Sequence, residues 1–414
     1  MPDTTLTASV IAKAALAILD NELDVLGTFY RAPESEFSKS VNGYQVGDTI
    51  SIRRPADFTV RNTITASAQD VIEGKVNLSI DQVRGVDFDF TSQDLTLNIK
   101  DLGERVIKPA VINIVNEVAR DCMTQMYQGA YNWVGTPAQL VNSFADFAKA
   151  PERLDEMAVP TDMRYAALNP QDFWAMTGSQ TSLYITNAAN SAYRDGSLGK
   201  IGGIDTLMTQ VMPTHTVGVA TGTPAINGGS QNVTYDTAKN TWSQSLVTKN
   251  WTNSTTGIVK AGDVFTIANV FAVNPKTRAT LPFLQQFVVQ ADANSGATTG
   301  PATLTISPPI ITSGPHQTVN AAPADNALLT VLGTGGTGYR QNLAYHKNAF
   351  ALAMVPMVAP PGAIDVGRES KNGISIRVIP GYDHTNDKTT WRMDVLYGRK
   401  LVDPRLITRF SGTA

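Results

Sequence analysis

One cysteine, Cys122, occurs in 414 residues. That excludes an internal disulfide framework and any multi-cysteine metal site. The four histidines, His215, His316, His346 and His384, are scattered without metal-ligand spacing. Charged residues make up only 17%, well below the usual quarter. The formal net charge of −3 lacks the basic excess of a dedicated nucleic-acid binder. No uncharged apolar run reaches the roughly 18 residues of a membrane-spanning helix. The chain opens Met1-Pro2-Asp3 without a basic region, and Lys13 interrupts the Ala-rich stretch, so no secretory signal is expected. Composition therefore predicts a soluble protein of a reducing compartment.

Apolar residues make up 42%, enough for substantial cores, and the length predicts two or three domains. The low charge is uneven. Residues 218–338 hold five Lys/Arg and four Asp/Glu and are rich in Thr, Asn, Gly and Ser. A break in composition that sharp marks a separate domain. Residues 1–110 hold eleven basic against sixteen acidic residues, while 339–414 hold eleven against six. Charge opposition of that kind favours head-to-tail self-association, although ordinary surface variation also produces it.

Residues 7–27 carry a helical face of Val10, Ala14, Ala17, Ile18 and Leu19, with Gly27 as a C-cap candidate. A polar arm follows to Asn42. From 46 to 90 the pattern changes to period two: Thr49–Arg53, Phe58–Arg61, Val76/Leu78/Ile80 and Val86/Phe88/Phe90 read as half-buried strands. The polar stretch Asn62–Gly74 reads as the tip of a long two-stranded excursion, which needs a partner surface because a lone hairpin is marginal in water. Residues 101–128 give the longest helix, with Val111, Ile114, Val115, Val118, Cys122, Met126 and Tyr127 on one stripe, Pro109 in or near its first turn, and Gly129 at its end. Cys122 on that stripe reads as a buried core thiol. Residues 138–217 look α/β: a helix over Ala138–Ala150, a strand over Arg164–Leu168, and a short helix after Asn169-Pro170. Residues 218–338 show short β-type runs (Asn232–Tyr235, Val264–Ala268, Phe287–Gln290, Ala302–Ile306) and predict a small antiparallel barrel or sandwich. Strands follow at 373–379, 391–397 and 406–410, the first two joined by a turn over Gly381–Lys388.

Tests for chemistry fail. Gly333-Thr-Gly335-Gly336-Thr-Gly338 fits G-x-G-x-x-G, but no helix opens on its third glycine and the next acid is Asp365, too far along. A flexible junction explains it better. There is no phosphate-binding loop of the G-x-x-x-x-G-K-[ST] type and no G-x-S-x-G elbow; Ser197 lacks the flanks. Asp383-His384, Glu104 and Asp121 read as isolated surface groups. No catalytic, cofactor-binding or metal residue emerges. What remains is a chain of arms that cannot stabilise themselves, which implies folding against copies of the same chain.

Several strings then carry a resemblance. They are Leu168-Asn169-Pro170-Gln171-Asp172; Ala192-Tyr193-Arg194-Asp195-Gly196-Ser197-Leu198-Gly199 with Gly203-Ile204-Asp205 and Met212-Pro213-Thr214-His215-Thr216; Asn342–Ala353; and Arg392-Met393-Asp394-Val395-Leu396-Tyr397-Gly398. Within 218–338, only Ala261–Ile267 is familiar. In this order, over essentially the whole chain, they resemble a tailed-bacteriophage major capsid protein, of the capsid fold shared with herpesvirus shells. The nearest subgroup is the coat proteins of short-tailed enterobacterial phages, which carry an inserted β-barrel domain.

The resemblance implies an α+β chain arranged as an N-terminal helix and arm (1–39), an extended loop with flanking strands (40–90), a peripheral-domain spine helix (91–129), an axial domain in two parts (130–217 and 339–373), an inserted antiparallel β-barrel (218–338), and C-terminal strands (374–414). It implies a structural, non-enzymatic subunit that assembles through hexamers and pentamers into an icosahedral head around double-stranded DNA, with no cofactor. The implied partners are other copies, a portal protein and, since the chain begins at Met1, a separate scaffolding protein; DNA is held without sequence-specific contact and no membrane is involved. The implied location is the virion, assembled in the bacterial cytoplasm. Arg61, Asp70, Glu73 and Lys75 are the expected inter-subunit contacts at the loop tip; a solvated loop is the plain alternative. Two other functions stay open from the residues: a nucleotide-binding enzyme using Gly333–Gly338, and a carbohydrate-binding adhesin using the Thr-rich β domain.

Overall fold

The computed structural model describes residues 11–13, 15–16, 25–33, 40–41, 44–45, 49–66, 68–91, 106–180, 195–360, 366–371 and 374–413. It has two compact units: Met1–Ser51, Asn77–Cys122 and Phe350–Lys400 form one, and Ile52–Val76, Met123–Ala349 and Leu401–Ala414 the other. The long helix is Lys108–Gly129. Its stripe is the periodic set the sequence shows, and Val111, Ile114, Val115, Val118, Cys122, Met126 and Tyr127 are all buried. Pro109 lies in the first turn, where a missing N–H breaks no helical bond. The Ala130 N–H donates to Met126 O and Tyr127 O and closes the end. Burial pushes the Cys122 thiol up and out of the reactive range.

In the first unit the strand Lys388–Leu401 is the axis of a sheet. Ile374–Asp383 folds back on it as a hairpin, with Asp383 opposite Lys388. Gln82–Thr91 pairs antiparallel from Lys388↔Thr91 to Tyr397↔Gln82, and its Val86, Phe88 and Phe90 lie on the more covered face, with Asp87 and Asp89 outward. Asp121 is not the isolated surface acid its sequence context suggests. Tyr397 Oη and Arg399 Nε each donate to it at 2.6 Å, and Arg84 stands 3.6 Å away. Asp394, which is buried, accepts from Arg377 and Arg392 at 2.6 and 2.8 Å. These two acids pin strand to helix and strand to strand. At the N-terminus, residues 11–13 and 15–16 are helical, with Ile11, Ala12, Ala15 and Leu16 buried; all five positions of the predicted face, Val10, Ala14, Ala17, Ile18 and Leu19, lie outside the described residues. Gly27 belongs to a 3-10 turn, Val25–Thr28, rather than capping a helix.

The second unit holds a mixed sheet in the order Asn132–Val134, Ile407–Phe410, Leu343–His346, Arg164–Leu168, Ile204–Met208, Lys200–Ile201. Helices Phe144–Glu156 and Pro170–Gln180 supply Phe147, Ala150, Leu154, Phe173 and Met176 to a core shared with Val134, Ala166, Leu168, Ile204, Ala344 and Phe410. The first of these helices starts six residues later than the periodicity predicts. Ala138 takes φ +76°, and Ser143 caps the start by accepting from the Asp146 N–H at 3.1 Å. The helix then runs through Pro151, the residue that makes a stop at Ala150 look natural.

The same unit holds six antiparallel strands in the spatial order Gly222–Ile226, Gln244–Trp251, Ala302–Ser307, Thr280–Val289, Val264–Val273, Leu329–Val331. The ring closes through a bridge, Ala225↔Leu328, flanked by Ile226 N–H to Ala327 O (2.9 Å) and Asn326 N–H to Ile226 O (3.1 Å). It is a barrel, not a sandwich. Its interior packs Leu246, Trp251, Phe265, Ile267, Phe287, Leu304, Ile306 and Val319. Asn232–Tyr235 is not a strand; Tyr235–Ala238 forms one helical turn instead. Strands Gly222–Ile226 and Gln244–Trp251, the second with its buried–exposed alternation, escape the sequence reading.

Candidate assembly site

The excursion is built in stages from its base. Thr49–Arg53 and Lys75–Ser79 form a two-stranded pair. Side chains bridge the two strands: Thr49 Oγ1 with Ser79 Oγ at 3.0 Å, Ser51 Oγ to Asn77 Oδ1 at 2.8 Å, and Arg53 to Glu73 at 3.0 Å. The Arg54 N–H donates to Gly74 O at 2.8 Å and closes the base. Beyond it the ladder stops. Phe58–Arg61 is not a strand, despite its alternation. One amide holds the two legs together instead: Gln69 Oε1 accepts from Thr59 N–H and Oγ1 (2.9 and 2.7 Å), and Gln69 Nε2 donates to Thr59 O (2.6 Å).

The four residues expected at the contact are all exposed, but they occupy two levels. Arg61 and Asp70 lie in the outer part, where the Arg61 guanidinium turns back on Thr63 O and Ile64 O (3.2 and 2.6 Å). Glu73 and Lys75 sit at the base, Glu73 paired with Arg53 and the Lys75 N–H donating to Asn240 Oδ1 at 3.1 Å. The sequence reading passed over the apolar residues of the same segment. Phe58, Val60, Ile64 and Val71 are 49%, 88%, 101% and 67% exposed. The signal was available: an alternating Phe/Val pair with no partner strand among the described residues is a half-buried pattern lacking its other half.

Behind the base lies a buried cluster. Trp242 stands between the guanidinium groups of Arg54 and Arg405, 5.7 and 5.2 Å from its centroid. His316 stacks on Tyr235 with centroids 3.7 Å apart, and neither ring nitrogen has a hydrogen-bond partner among the described residues. Burial, with Arg405 nearby, lowers the His316 pKa to about 4. Arg405 grips Asp403 with both Nε and Nη2. Burial alone would raise the Asp403 carboxyl, but Arg405 and Arg54 hold it below the usual range.

Of the strings that carried the resemblance, Leu168–Asp172, Met212–Thr216, Ala261–Ile267 and the start of Asn342–Ala353 lie in the second unit, and Arg392–Gly398 lies in the first. Asn169 Oδ1 accepts from the Gln171 N–H at 3.1 Å and starts the helix at Pro170. The Asn169 N–H donates to Asn342 Oδ1 (2.9 Å), and Asn342 Nδ2 donates to buried Asp172 (3.1 Å), which also accepts from the Val141 N–H (3.0 Å). Asp263, inside the Ala261–Ile267 string, is fully buried and takes three donors: His215 Nε2 at 2.7 Å, Gly218 N–H at 3.0 Å and Lys260 N–H at 2.7 Å. These residues build structure.

The glycine string is likewise spent on packing. It is a turn between Leu329–Val331 and Gly338–Arg340. The Thr334 N–H donates to Tyr339 Oη and the Gly336 N–H to Val217 O. A Cβ on Gly335 would lie 2.1 Å from Val219 O, so backbone fills the space a phosphate would need. Among the described residues no group of three His, Cys, Asp or Glu side chains is placed to hold a metal, and no helix is long and apolar enough to cross a membrane.

A family model described as P22 coat protein, gene protein 5, matches residues 35–411. The chain is similar to the major capsid protein of Acyrthosiphon pisum secondary endosymbiont phage 1, at 22% identity over 381 residues, covering 88% of this chain and 89% of that protein. Among solved structures, one from Mycobacterium phage Che8 aligns at 12% identity with a TM-score of 0.49, covering 93% of this chain and 89% of its own. The CUS-3 coat protein I-domain aligns at 27% identity over 27% of this chain and 96% of its own, with a TM-score of 0.19.

Proposed function

Because the chain belongs to the P22 coat protein family, its mixed α/β architecture with an inserted barrel being the tailed-phage capsid fold, we propose how this structural capsid subunit and virion component builds its shell. The subunits form hexamers and pentamers that close into an icosahedral head around double-stranded DNA. Residues 91–129 with the sheet around Lys388–Leu401 act as the peripheral domain, residues 130–217 and 339–373 as the axial domain, and 218–338 as the insertion. Assembly takes place in the bacterial cytoplasm on a scaffolding protein, with a portal protein at one vertex. The acidic net charge suits a wall that holds DNA without gripping it. One observation carries the reading of the contact: four large apolar side chains of the excursion lie open to solvent, more than a free monomer usually gathers on so short a segment. On a neighbouring subunit Phe58, Val60, Ile64 and Val71 bury their apolar surface, and Arg61, Asp70, Glu73 and Lys75 form the polar rim.

Negative-stain microscopy of the expressed protein, with and without a candidate scaffolding protein, tests this. Closed particles of uniform size are expected, and the double change Val60→Asp/Ile64→Asp should leave soluble, folded subunits that do not close shells. Monomers under every condition, or normal particles from the double variant, would contradict the proposal.

The other two functions draw no support from the site. The glycine string is filled by backbone, and apolar side chains fill the barrel's interior.

A further inference from the structure

We infer that Arg54 is a positioning residue that fixes the direction in which the excursion leaves the second unit, with the inserted barrel as its brace. The inference rests on the assembly reading above, but its physical content concerns the free subunit.

Arg54 is only 6% exposed. Its Nε donates to Val402 O at 2.8 Å and its Nη1 to Lys239 O at 3.3 Å, while its plane lies over Trp242. One rigid fork thus ties the outgoing leg to the C-terminal segment and to the turn Tyr235–Ala238 that hangs from the barrel. Burial lowers the Arg54 pKa, and Asp403 is the anion nearest in effect that offsets it. A lysine in its place would carry the charge but could not reach both carbonyls and stack at once.

The returning leg meets the same turn. Gly74 packs so closely on Lys239 O that a Cβ would lie 2.4 Å away, and the Lys75 N–H is held by Asn240. A second brace stands further out. Lys276 pairs with Asp57 at 3.2 Å, and Arg278 Nη2 donates to Phe58 O at 3.0 Å. Both bases come from the connection between strands Val264–Val273 and Thr280–Val289. Two legs anchored at one turn and one leg propped at another leave the excursion little freedom to pivot. Beyond Thr59 and Gln69, the described residues make no such contact with the barrel.

The test measures pivoting directly. Spin labels are placed by Ile64→Cys at the tip and Ser254→Cys on the barrel; Cys122 is buried and stays unlabelled. Pulsed electron–electron distance measurement on the soluble full-length subunit should give one narrow distribution. Arg54→Lys should widen it at least twofold and cut the yield of closed particles at least tenfold, with the thermal midpoint changed by only a few degrees. Gly74→Ala attacks the other leg without touching the guanidinium and should widen the distribution in the same way; it carries the test if Arg54→Lys fails to fold. A distribution as narrow as the parent's in a folded variant would overturn the inference. Failure of the parent to form particles would count against the assembly reading alone, since the label distances do not depend on it.

Discussion

Asp263 offers the sharpest quantitative test of the second unit. Its carboxylate accepts from His215 Nε2 at 2.7 Å and takes the Gly218 and Lys260 N–H groups at 3.0 and 2.7 Å. Hydrogen bonds to a charged group contribute roughly 1.5–3 kcal/mol each. Asp263→Ala removes three and leaves their donors without that acceptor in a buried site. Breaking a buried charged contact by deleting one partner costs about 3–5 kcal/mol, and that range is the expected loss. Asp263→Asn keeps one carbonyl oxygen but turns an N–H₂ towards donors, so about half that loss is expected. Because local and global opening differ, the suitable assay is amide hydrogen exchange with mass-spectrometric readout over 216–220 and 258–264. A loss of about 3 kcal/mol corresponds to more than a hundredfold faster exchange there. A cycle with His215→Phe separates the imidazole contact from the two backbone contacts. If Asp263→Ala leaves exchange within threefold of the parent, the carboxylate does not organise the entry to the barrel.

Three further outcomes follow from buried groups. Arg409 is fully buried against Tyr127 and Trp133, both centroids 5.4 Å away, with Nε donating to Ala130 O and both Nη atoms unpartnered among the described residues; burial drives its pKa down to about 9. Arg409→Met, which keeps the stem and removes an uncompensated charge, should change unfolding free energy by less than about 2 kcal/mol, whereas Arg409→Ala should cost about 3 kcal/mol by denaturant titration; a heavy loss in the Met variant would mean a missed buried anion. His316 is held neutral, its pKa falling from 6.5 to about 4. The unfolded chain therefore takes up the proton first as pH falls, so stability is complete above 6.5 and declines between 6.5 and about 4, by at most roughly 3 kcal/mol. His316→Phe should flatten that part of a thermal-midpoint profile, and an unchanged slope would refute the assignment. Ile114→Asp puts a charge on the buried stripe of the long helix and should abolish soluble folding; ordinary melting of that variant would refute the burial.

What could be read from the sequence was what local pattern controls. The stripe on Lys108–Gly129, the alternation of Val86/Phe88/Phe90 and the Asn169-Pro170 step all depend on neighbours a few residues away. The barrel showed itself through a composition break, although its closure depends on a bridge between Ala225 and Leu328. The helix expected over Ala138–Ala150 is displaced, because its start is set by Ser143 and Asp146 and it continues through Pro151. Phe58–Arg61 misled as well: its alternation was read as a strand within the chain, and among the described residues no strand pairs with it. Arg54 was invisible, since its partners are 185 and 348 residues distant and nothing near it in sequence distinguishes it from Arg53, which is exposed.

The closure of the six-stranded ring has a consequence for a protein that must accumulate before it is used. A sheet edge is a template for any other edge, and crowded chains with open edges join indiscriminately. The barrel leaves no such template, so its strands remain silent at high concentration. The pair Thr49–Arg53 and Lys75–Ser79 is short, and Arg53 and Lys75 place charge on its exposed face. The apolar side chains exposed on the excursion stand at the end of a braced lever, where in the proposed assembly a contact is selected by shape and reach rather than by the generic affinity of one strand for another.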